Sequence, residues 1–501
     1  MNTYREALKE IPAYKYDVVV AGGGTAGVVA ALAAARNGAK TVLVEAKGYV
    51  GGTMLEGGTA LHSFFSLGKL FGRESKQIVK GIPDEIIQRL AAVGGSTGHL
   101  TSPDEYDYDE ACTLIDVEQY KLVAAEMLEE AGVDIYFNTL VSEADVSNGH
   151  VNGIIVQSRV EGRLYFAAKC FIDATGWGDL SAYAGAKYIV PQEYSVANSI
   201  GIAGIDVEKY TEYLQKNNGV SSVTYGPRDG RPNKILRANA PYHRVLSTLM
   251  EQHARKSKGC QSMSEEEKHA AEMAMTNDLN TIPIEFQREM AKLALTLTFT
   301  TMRDNYLMFL KLNYVMKNGV TSQTEMTKAE IELRRRQQRA IELLRAYIPG
   351  CENAFIARTS PTLCTRRGRS IICEYDITNE DILAGQHFED DILYFGFHDC
   401  APKMHVGGDG TYGIPLRAIL VKDIDNLFAV GMMISTDYHA YMSTRNTVSC
   451  MGQGQAAGTC AALAVQLGVL PKQVPYGELK NQLLAEGVYL GDCLDDISIK
   501  G

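Results

Sequence analysis
Three glycines, Gly22, Gly24 and Gly27, stand between a short aliphatic run and a longer run of small residues. Residues 16–21 (YDVVVA) read as a buried strand, 22–27 as a turn, and 28–37 as a helix that Gly38 stops from its C′ position. Residues 41–45 (TVLVE) read as the next strand. Strand, turn, helix and strand in this order make a βαβ unit, which requires a parallel sheet. In that context G-x-G-x-x-G is the phosphate fingerprint of dinucleotide-binding folds, provided an acid closes the second strand. Glu45 does so, 21 residues past Gly24. Gly22 permits the tight turn, Gly24 lets backbone approach a pyrophosphate, and Gly27 lets helix pack on strand. Thr25 and Ala26 open a helix whose N-terminus faces the phosphates. Glu45 would accept ribose hydroxyls and disfavour a 2′-phosphate. The plain alternative is a Gly-rich turn in an unrelated α/β sheet, and it has to explain all four features at once.

Further along, residues 116–131 show an amphipathic helix, with Asp116 as its cap, Gln119 at the capping-box position and Gly132 as its stop. Residues 133–137 look like the following strand. From 141 to 172 short strands alternate with hairpin-like turns at 147–150 (SNGH) and 161–163 (EGR), a β-meander that ends in a buried strand at 170–173. From about 191 to 347 the chain becomes helix-rich. Capping-box patterns stand at 264–267 (SEEE) and 327–330 (TKAE), and 332–345 presents a charged, solvated face. Residues 427–430 regain buried-strand character, and 452–467 form a second small-residue helix. The predicted fold is α/β. A Rossmann-like dinucleotide-binding domain with a parallel sheet and β-meander covers 1–190 and 405–475. A helix-rich α+β substrate or cap domain is inserted over 191–404, and a tail covers 476–501.

Composition excludes several classes. Lys+Arg number 49 against 60 Asp+Glu, a net charge of −11. A nucleic-acid partner needs clustered basic residues, and none is expected. The ten cysteines include no C-x-x-C, so iron–sulfur, zinc-ribbon and thioredoxin-type motifs are unsupported and no metal is expected. Scattered cysteines in a long chain read as reduced thiols in the cytoplasm. Residues 18–35 carry no charge and are nearly long enough to span a bilayer. They contain four glycines and follow Glu6, Lys9, Glu10, Lys15 and Asp17, not a basic leader, so membrane insertion is not expected.

Three further motifs bear on the cofactor. Gly51-Gly52-Thr53 follows the ribose acid closely. Residues 171–179 (FIDATGWGD) close the meander. Residues 425–431 (DNLFAVG) precede 454–458 (GQAAG). With these the sequence resembles the two-motif FAD flavoproteins of the glutathione-reductase type. More narrowly it resembles the FAD-dependent oxidoreductase family related to fumarate reductase and succinate dehydrogenase flavoproteins. The resemblance covers the first ~190 and last ~100 residues and a middle stretch, 366–381, and it implies an FAD-binding fold with a capping substrate domain. By the same resemblance, Gly22, Gly24, Gly27 and Glu45 match the ADP-binding motif. Gly51, Gly52 and Thr53 match the loop beside pyrophosphate and flavin, and Val141 the position whose backbone meets adenine. Ala174, Thr175, Gly176 and Asp179 match the second pyrophosphate-side motif, and Gly431 the ribityl strand. Gly454 and Gln455 match a helix start aimed at the flavin pyrimidine.

Departures from the wider group narrow the reading. No Cys pair follows the GG loop and no flavin-linking His precedes it, so non-covalent FAD without a dithiol is expected. A single tryptophan, Trp177, argues against the Trp-rich motifs of flavin halogenases. In the family a His and an Arg recur between the ribityl strand and the following helix. His439 and Arg445 stand there, as candidates to protonate substrate and to hold a carboxylate or anionic flavin. The bland reading makes His439 a structural histidine and Arg445 a structural partner. His62, His398, His405, Arg366 and Arg369 are further candidates without an assigned role. The expected activity is oxidation or reduction of a small polar molecule by hydride transfer at flavin N5, with a separate electron donor or acceptor. A fumarate-reductase-like C=C reductase and a non-redox flavoprotein or binding subunit with structural FAD are the alternatives.

Overall fold
The computed structural model describes residues 10–56, 65–67, 76–101, 111–190, 194–217, 222–224, 237–239, 283–293, 295–296, 301–316, 321–365, 367–398 and 405–491. The first stretch of chain gives β1 (Ala13–Lys15), β2 (Val18–Ala21), α1 (Thr25–Arg36), β3 (Thr41–Val44), α2 (Val117–Glu130) and β4 (Asp134–Tyr136). The meander follows as β5 (Thr139–Ser147), β6 (His150–Ser158) and β7 (Gly162–Ala167), and leads into β8 (Cys170–Asp173). An inserted unit contains β9 (Tyr194–Ala203), β10 (Tyr306–Met316), α3 (Gln323–Tyr347), β11 (Phe355–Thr359) and β12 (Cys364–Thr365). The return supplies β13 (Asp391–Phe395), β14 (Tyr412–Pro415), β15 (Leu427–Ala429), α4 (Tyr438–Thr444), α5 (Thr447–Leu467) and α6 (Tyr476–Ala485).

The central sheet has the order β15-β8-β2-β3-β4 and every pairing in it is parallel. Ala21 lies level with Val44 and with Asp173, and Asp173 with Ala429. Four strands therefore end at one edge, where the loops beginning at Gly22, Glu45, Ala174 and Val430 emerge together. This carboxyl edge is where open α/β sheets bind ligands. Both faces are covered, as parallel strands require. Val18, Val20, Leu43 and Ile172 join the core under α1 and α5. Val19, Val42, Val44 and Phe171 join a second core under the meander.

Small residues bring α5 against α1. A Cβ on Gly454 would lie 2.2 Å from the Ala26 carbonyl oxygen, and one on Gly458 2.1 Å from that of Ala30. The two helices touch backbone to backbone. The meander is pinned to β15 by the buried Asn426. Its amide accepts from the Val151 N–H at 2.9 Å and donates to the carbonyls of Val151 at 2.9 Å and Lys169 at 3.0 Å. The turn at Asn148 and Gly149 is left-handed at both residues, as a tight hairpin requires.

In the inserted unit, β9 pairs antiparallel with β10, β11 and β12. It shares a separate core with α3, through Val196, Leu310, Leu333, Ala340 and Leu344 among others. Ile377, Ile382, Ile392 and Leu393, within the span expected for the inserted domain, pack into the first core. Residues 476–490 are not a loose tail: Leu479, Leu483 and Leu490 are buried there, and Glu486 accepts from Asn37, Gln455 and Thr459. Capping also differs. α3 starts at Gln323 with the Ser322 hydroxyl accepting from the Glu325 N–H, so 327–330 lies inside the helix, one turn past the real cap. The pattern at 264–267 lies outside the described residues.

Candidate functional site
A cleft of about 320 Å³ runs along the carboxyl edge of the central sheet. Its wall combines the first glycine loop, the residues after β3, the start of the meander, the loop after β8, the loop after β15, the first turn of α5 and the cap strand β12. Gly22, Gly24, Thr25, Ala26, Glu45, Gly52, Thr53, Val141, Ala174, Thr175, Gly176, Asp179 and Gly431 all line it, as does Arg445. Motifs as far apart in sequence as Gly22 and Gly431 thus meet on one surface.

The glycines of the first loop differ in what demands them. Gly22 has φ +98, and a Cβ there would lie 2.5 Å from the Ala174 carbonyl oxygen. A Cβ on Gly27 would lie 1.8 Å from the Gly22 carbonyl oxygen. Packing alone excludes side chains at both. At Gly24 the nearest atom to a Cβ would be the Ala174 oxygen, 3.9 Å away. The protein leaves that space open, and a group approaching the loop from the cleft would fill it. Gly24 caps α1 without a side chain, so the first N–H groups of the helix point out of it unpaired within the helix. That is the arrangement a phosphate uses. The second glycine loop is docked on the first: the Gly51 N–H donates to the Gly23 carbonyl at 2.8 Å, and the Thr25 hydroxyl to the Gly51 carbonyl at 3.3 Å.

Glu45 is only 8% exposed. Its carboxylate accepts from the Gly23 N–H at 2.7 Å and the Lys47 N–H at 2.8 Å, which fixes it at the cleft wall. Burial lifts its pKa above the ordinary carboxylate range, against the pull of those two N–H groups. The ionised form can accept on both oxygens beyond these two bonds, whereas protonation turns one oxygen into a donor. A ribose hydroxyl donating to Glu45 would therefore be held fully above the raised value and less as pH drops through it. The folding term has the opposite sense, since a carboxyl with a raised native pKa stabilises the fold at low pH and loses that contribution as pH rises through the native value. Cofactor release on acidification, followed by ultrafiltration, is expected to show a step that a Glu45→Gln variant lacks. A step of equal size in both proteins would remove Glu45 from recognition.

Asp173 closes β8 and is fully buried. It accepts four bonds, from the Thr175 N–H and hydroxyl at 3.1 and 2.7 Å and from the Ser181 N–H and hydroxyl, both at 2.7 Å. These fold residues 174–181 into the second motif. Arg369 clamps the same loop from outside, with Nη1 donating to Asp179 at 2.8 Å and to the Trp177 carbonyl at 2.9 Å. Arg369 thus holds the cleft wall in place. Gly431, at φ +94, donates its N–H to Gln453 at 2.8 Å.

Several expected site residues sit elsewhere. Gly454 and Gln455 do not open a helix. α5 begins at Thr447, capped by Asn446, and it is Thr447 and Cys450 that face the cleft. Gln455 accepts from the Ile82 N–H at 3.0 Å and donates to Glu486 at 2.9 Å, both outside the cleft wall. Gly27 and Gly51 support the wall from behind. His439 is exposed on the first turn of α4, stacked edge-on against Tyr438, and does not line the cleft. Arg445 ends that helix at the cleft. His398 is 1% exposed and bonded to Asn379 at 3.0 Å, and His405 is exposed. His62 and Arg366 lie outside the described residues.

The wall also contains residues the motifs did not announce: Lys47, Glu56, Met432, Thr362 and Thr365. Burial pushes the thiols of Cys364 and Cys450 up to about 12, so both stay protonated near neutral pH despite the nearby Arg445 guanidinium.

A parallel sheet covered on both faces, two glycine loops docked on each other, and a ribose-side acid define a dinucleotide-binding flavoprotein fold. Residues 17–483 match the family model described as FAD dependent oxidoreductase, and the chain belongs to that family. It is an FAD-dependent enzyme. An uncharacterized protein in the nifH2 5′ region of Methanosarcina barkeri is 26% identical over 172 residues, 34% of this chain and 88% of that protein. Among solved structures, a geranylgeranyl bacteriochlorophyll reductase-like protein of Thermoplasma acidophilum aligns over 94% of this chain and 84% of its own, at 13% identity and TM-score 0.44. The p-nitrophenol 4-monooxygenase PnpA of Pseudomonas putida aligns over 97% and 92%, at 12% identity and TM-score 0.41. GidA of Aquifex aeolicus aligns over 91% and 65%, at 16% identity and TM-score 0.41. No helix among the described residues is long and apolar enough to cross a membrane.

Proposed function
We propose that this chain binds FAD non-covalently along the carboxyl-edge cleft. There it oxidises or reduces a small polar organic molecule by hydride transfer, in the cytoplasm, exchanging electrons with a separate donor or acceptor. The observation that carries the reading is the open space at Gly24, in a loop where the glycines on either side of it are demanded by packing. The residues present suit the cofactor. The α1 N-terminus, Gly24 and the Gly52-Thr53 loop would hold its pyrophosphate, Glu45 its ribose, and Val141 its adenine. Gly176, Gly431, Thr447 and Cys450 would line its isoalloxazine end. When bound, FAD supplies the two-electron acceptor or donor.

Arg445 is the proposed substrate anchor, placed at the cleft by α4 and directed over the Tyr441 ring at 5.7 Å. Its guanidinium would pair with a carboxylate or another anionic group. Thr362, Leu363 and Thr365 of the inserted unit line the same cleft. His439 stands on the solvent side and is not required by this geometry.

An anaerobic screen of small hydroxy acids, amino acids and enoates tests the reading, with flavin bleaching or reoxidation as the signal. An active compound should bleach the wild type. Arg445→Met should keep FAD and lose on the order of 10- to 100-fold in kcat/KM for that compound, the scale of one charge-assisted hydrogen bond. His439→Ala should stay within about twofold, as exposed substitutions do. A preparation that never changes redox state with dithionite and an acceptor would remove the oxidoreductase reading.

A further inference from the structure
Glu56 is 4% exposed and lies in the cleft wall, yet no motif includes it. It ends the one-turn helix Thr53–Glu56, which continues directly from the second glycine loop. A buried carboxylate is costly unless it is paired and hydrogen-bonded. Here Lys47 Nζ pairs with it, the Tyr49 hydroxyl donates to it at 2.8 Å, and the Thr362 hydroxyl donates to it at 3.2 Å. Lys47 and Tyr49 belong to the nucleotide domain. Thr362 belongs to the inserted unit, between β11 and β12. A second bond follows the same path, as Arg358 Nη1 of β11 donates to the Leu55 carbonyl at 2.9 Å. The short turn that carries Thr53 into the cleft is thus tied to the inserted unit by two bonds, one at Leu55 and one at Glu56.

We infer that Glu56 is a positioning residue that couples cap docking to cofactor binding, by tying Thr362 and Lys47 to the turn that presents Gly52 and Thr53. The inference rests on the proposed placement of FAD in this cleft. Coupling is reciprocal: whatever the cap does to FAD affinity, FAD does to the cap. The bond to Thr362 matters to the cofactor only while Glu56 is there to transmit it. A merely structural carboxylate would make no such link.

The test is a double-mutant cycle on FAD affinity in the deflavinated full-length chain, with wild type, Thr362→Val, Glu56→Ala and the double variant. The wild type is titrated first. Failure to take up FAD at that step would overturn the cofactor placement and this inference with it. Given uptake, Thr362→Val is expected to weaken FAD about fivefold or more in the wild-type background, and less than twofold beside Glu56→Ala. Thr362→Ser, which keeps the hydroxyl, should restore the wild-type value. Equal weakening in both backgrounds would mean that Thr362 acts on FAD directly, and would overturn the inference. If Glu56→Ala does not fold, hydrogen exchange in the wild type decides. FAD should slow exchange across residues 355–365, and no change there would overturn it.

Discussion
Gly24→Asp is expected to give a folded protein that has lost its FAD. Gly24 adopts φ −72 and ψ −169, an extended conformation open to any residue. A Cβ there has only one neighbour within 4 Å, at 3.9 Å. Asp is moreover a favoured N-cap. Its carboxylate would answer the α1 dipole, a contribution of about 0.3–1 kcal/mol. Thermal stability of the apo-protein should therefore hold or rise, while the same carboxylate occupies the space where pyrophosphate would sit. Stability and cofactor retention move in opposite directions, which separates a ligand-facing glycine from a packing one. Gly27→Val is the contrast, because its Cβ would lie 1.8 Å from a backbone oxygen and the protein should fail to fold. Absorbance in the flavin bands and a melting curve, taken on the same Gly24→Asp preparation, check both halves. Retained FAD would overturn the assignment of this loop.

Gly458→Val is expected to be the most damaging change remote from the cleft. Its Cβ would lie 2.1 Å from the Ala30 carbonyl oxygen and 2.9 Å from the Ala33 Cβ, so one helix backbone would have to shift away from the other. Overpacking a close-packed core typically costs about 1–3 kcal/mol, and a backbone contact that short lies at the upper end or beyond. Because the first glycine loop leads into α1 and α5 carries Thr447 and Cys450, all at the cleft wall, separating the two helices should also widen the cleft. Cofactor loss should accompany the drop in melting temperature. Gly477, in α6, is the control, since a Cβ there meets nothing within 4 Å. Gly477→Ala should raise stability by about 0.5–1 kcal/mol through helix propensity. Denaturant titration of both variants distinguishes them, and a Gly458→Val protein as stable as wild type would contradict the packing described.

What the sequence discloses is what short-range chemistry decides. The first loop is legible because strand, turn, helix and acid lie within 30 residues and each has its own local signal. The 170–179 motif is legible for the same reason. Gly454 and Gln455 mislead because glycines in a helix suit two purposes, a close ligand and a close helix, and only the partner α1 tells which. α5 starts at Thr447, five residues before the expected 452, where the Asn446 side chain accepts from the Val448 N–H. His439 and Arg445 lie six residues apart on one short helix, and which of them faces the cleft depends on how that helix docks. Glu56 had no legible role at all, because its partner Thr362 lies 306 positions away. Residues 476–490 look like a tail until Glu486 meets Asn37, Gln455 and Thr459 across the fold.

Trp177 is the single tryptophan of the chain and lines the cleft. Its emission overlaps flavin absorption, so a bound isoalloxazine must quench it by energy transfer. Titrating FAD into the deflavinated protein should quench that emission saturably, with an end point at one FAD per chain and no such transition in Gly24→Asp. Emission unaffected by FAD, in a protein that nonetheless binds it, would place the cofactor elsewhere.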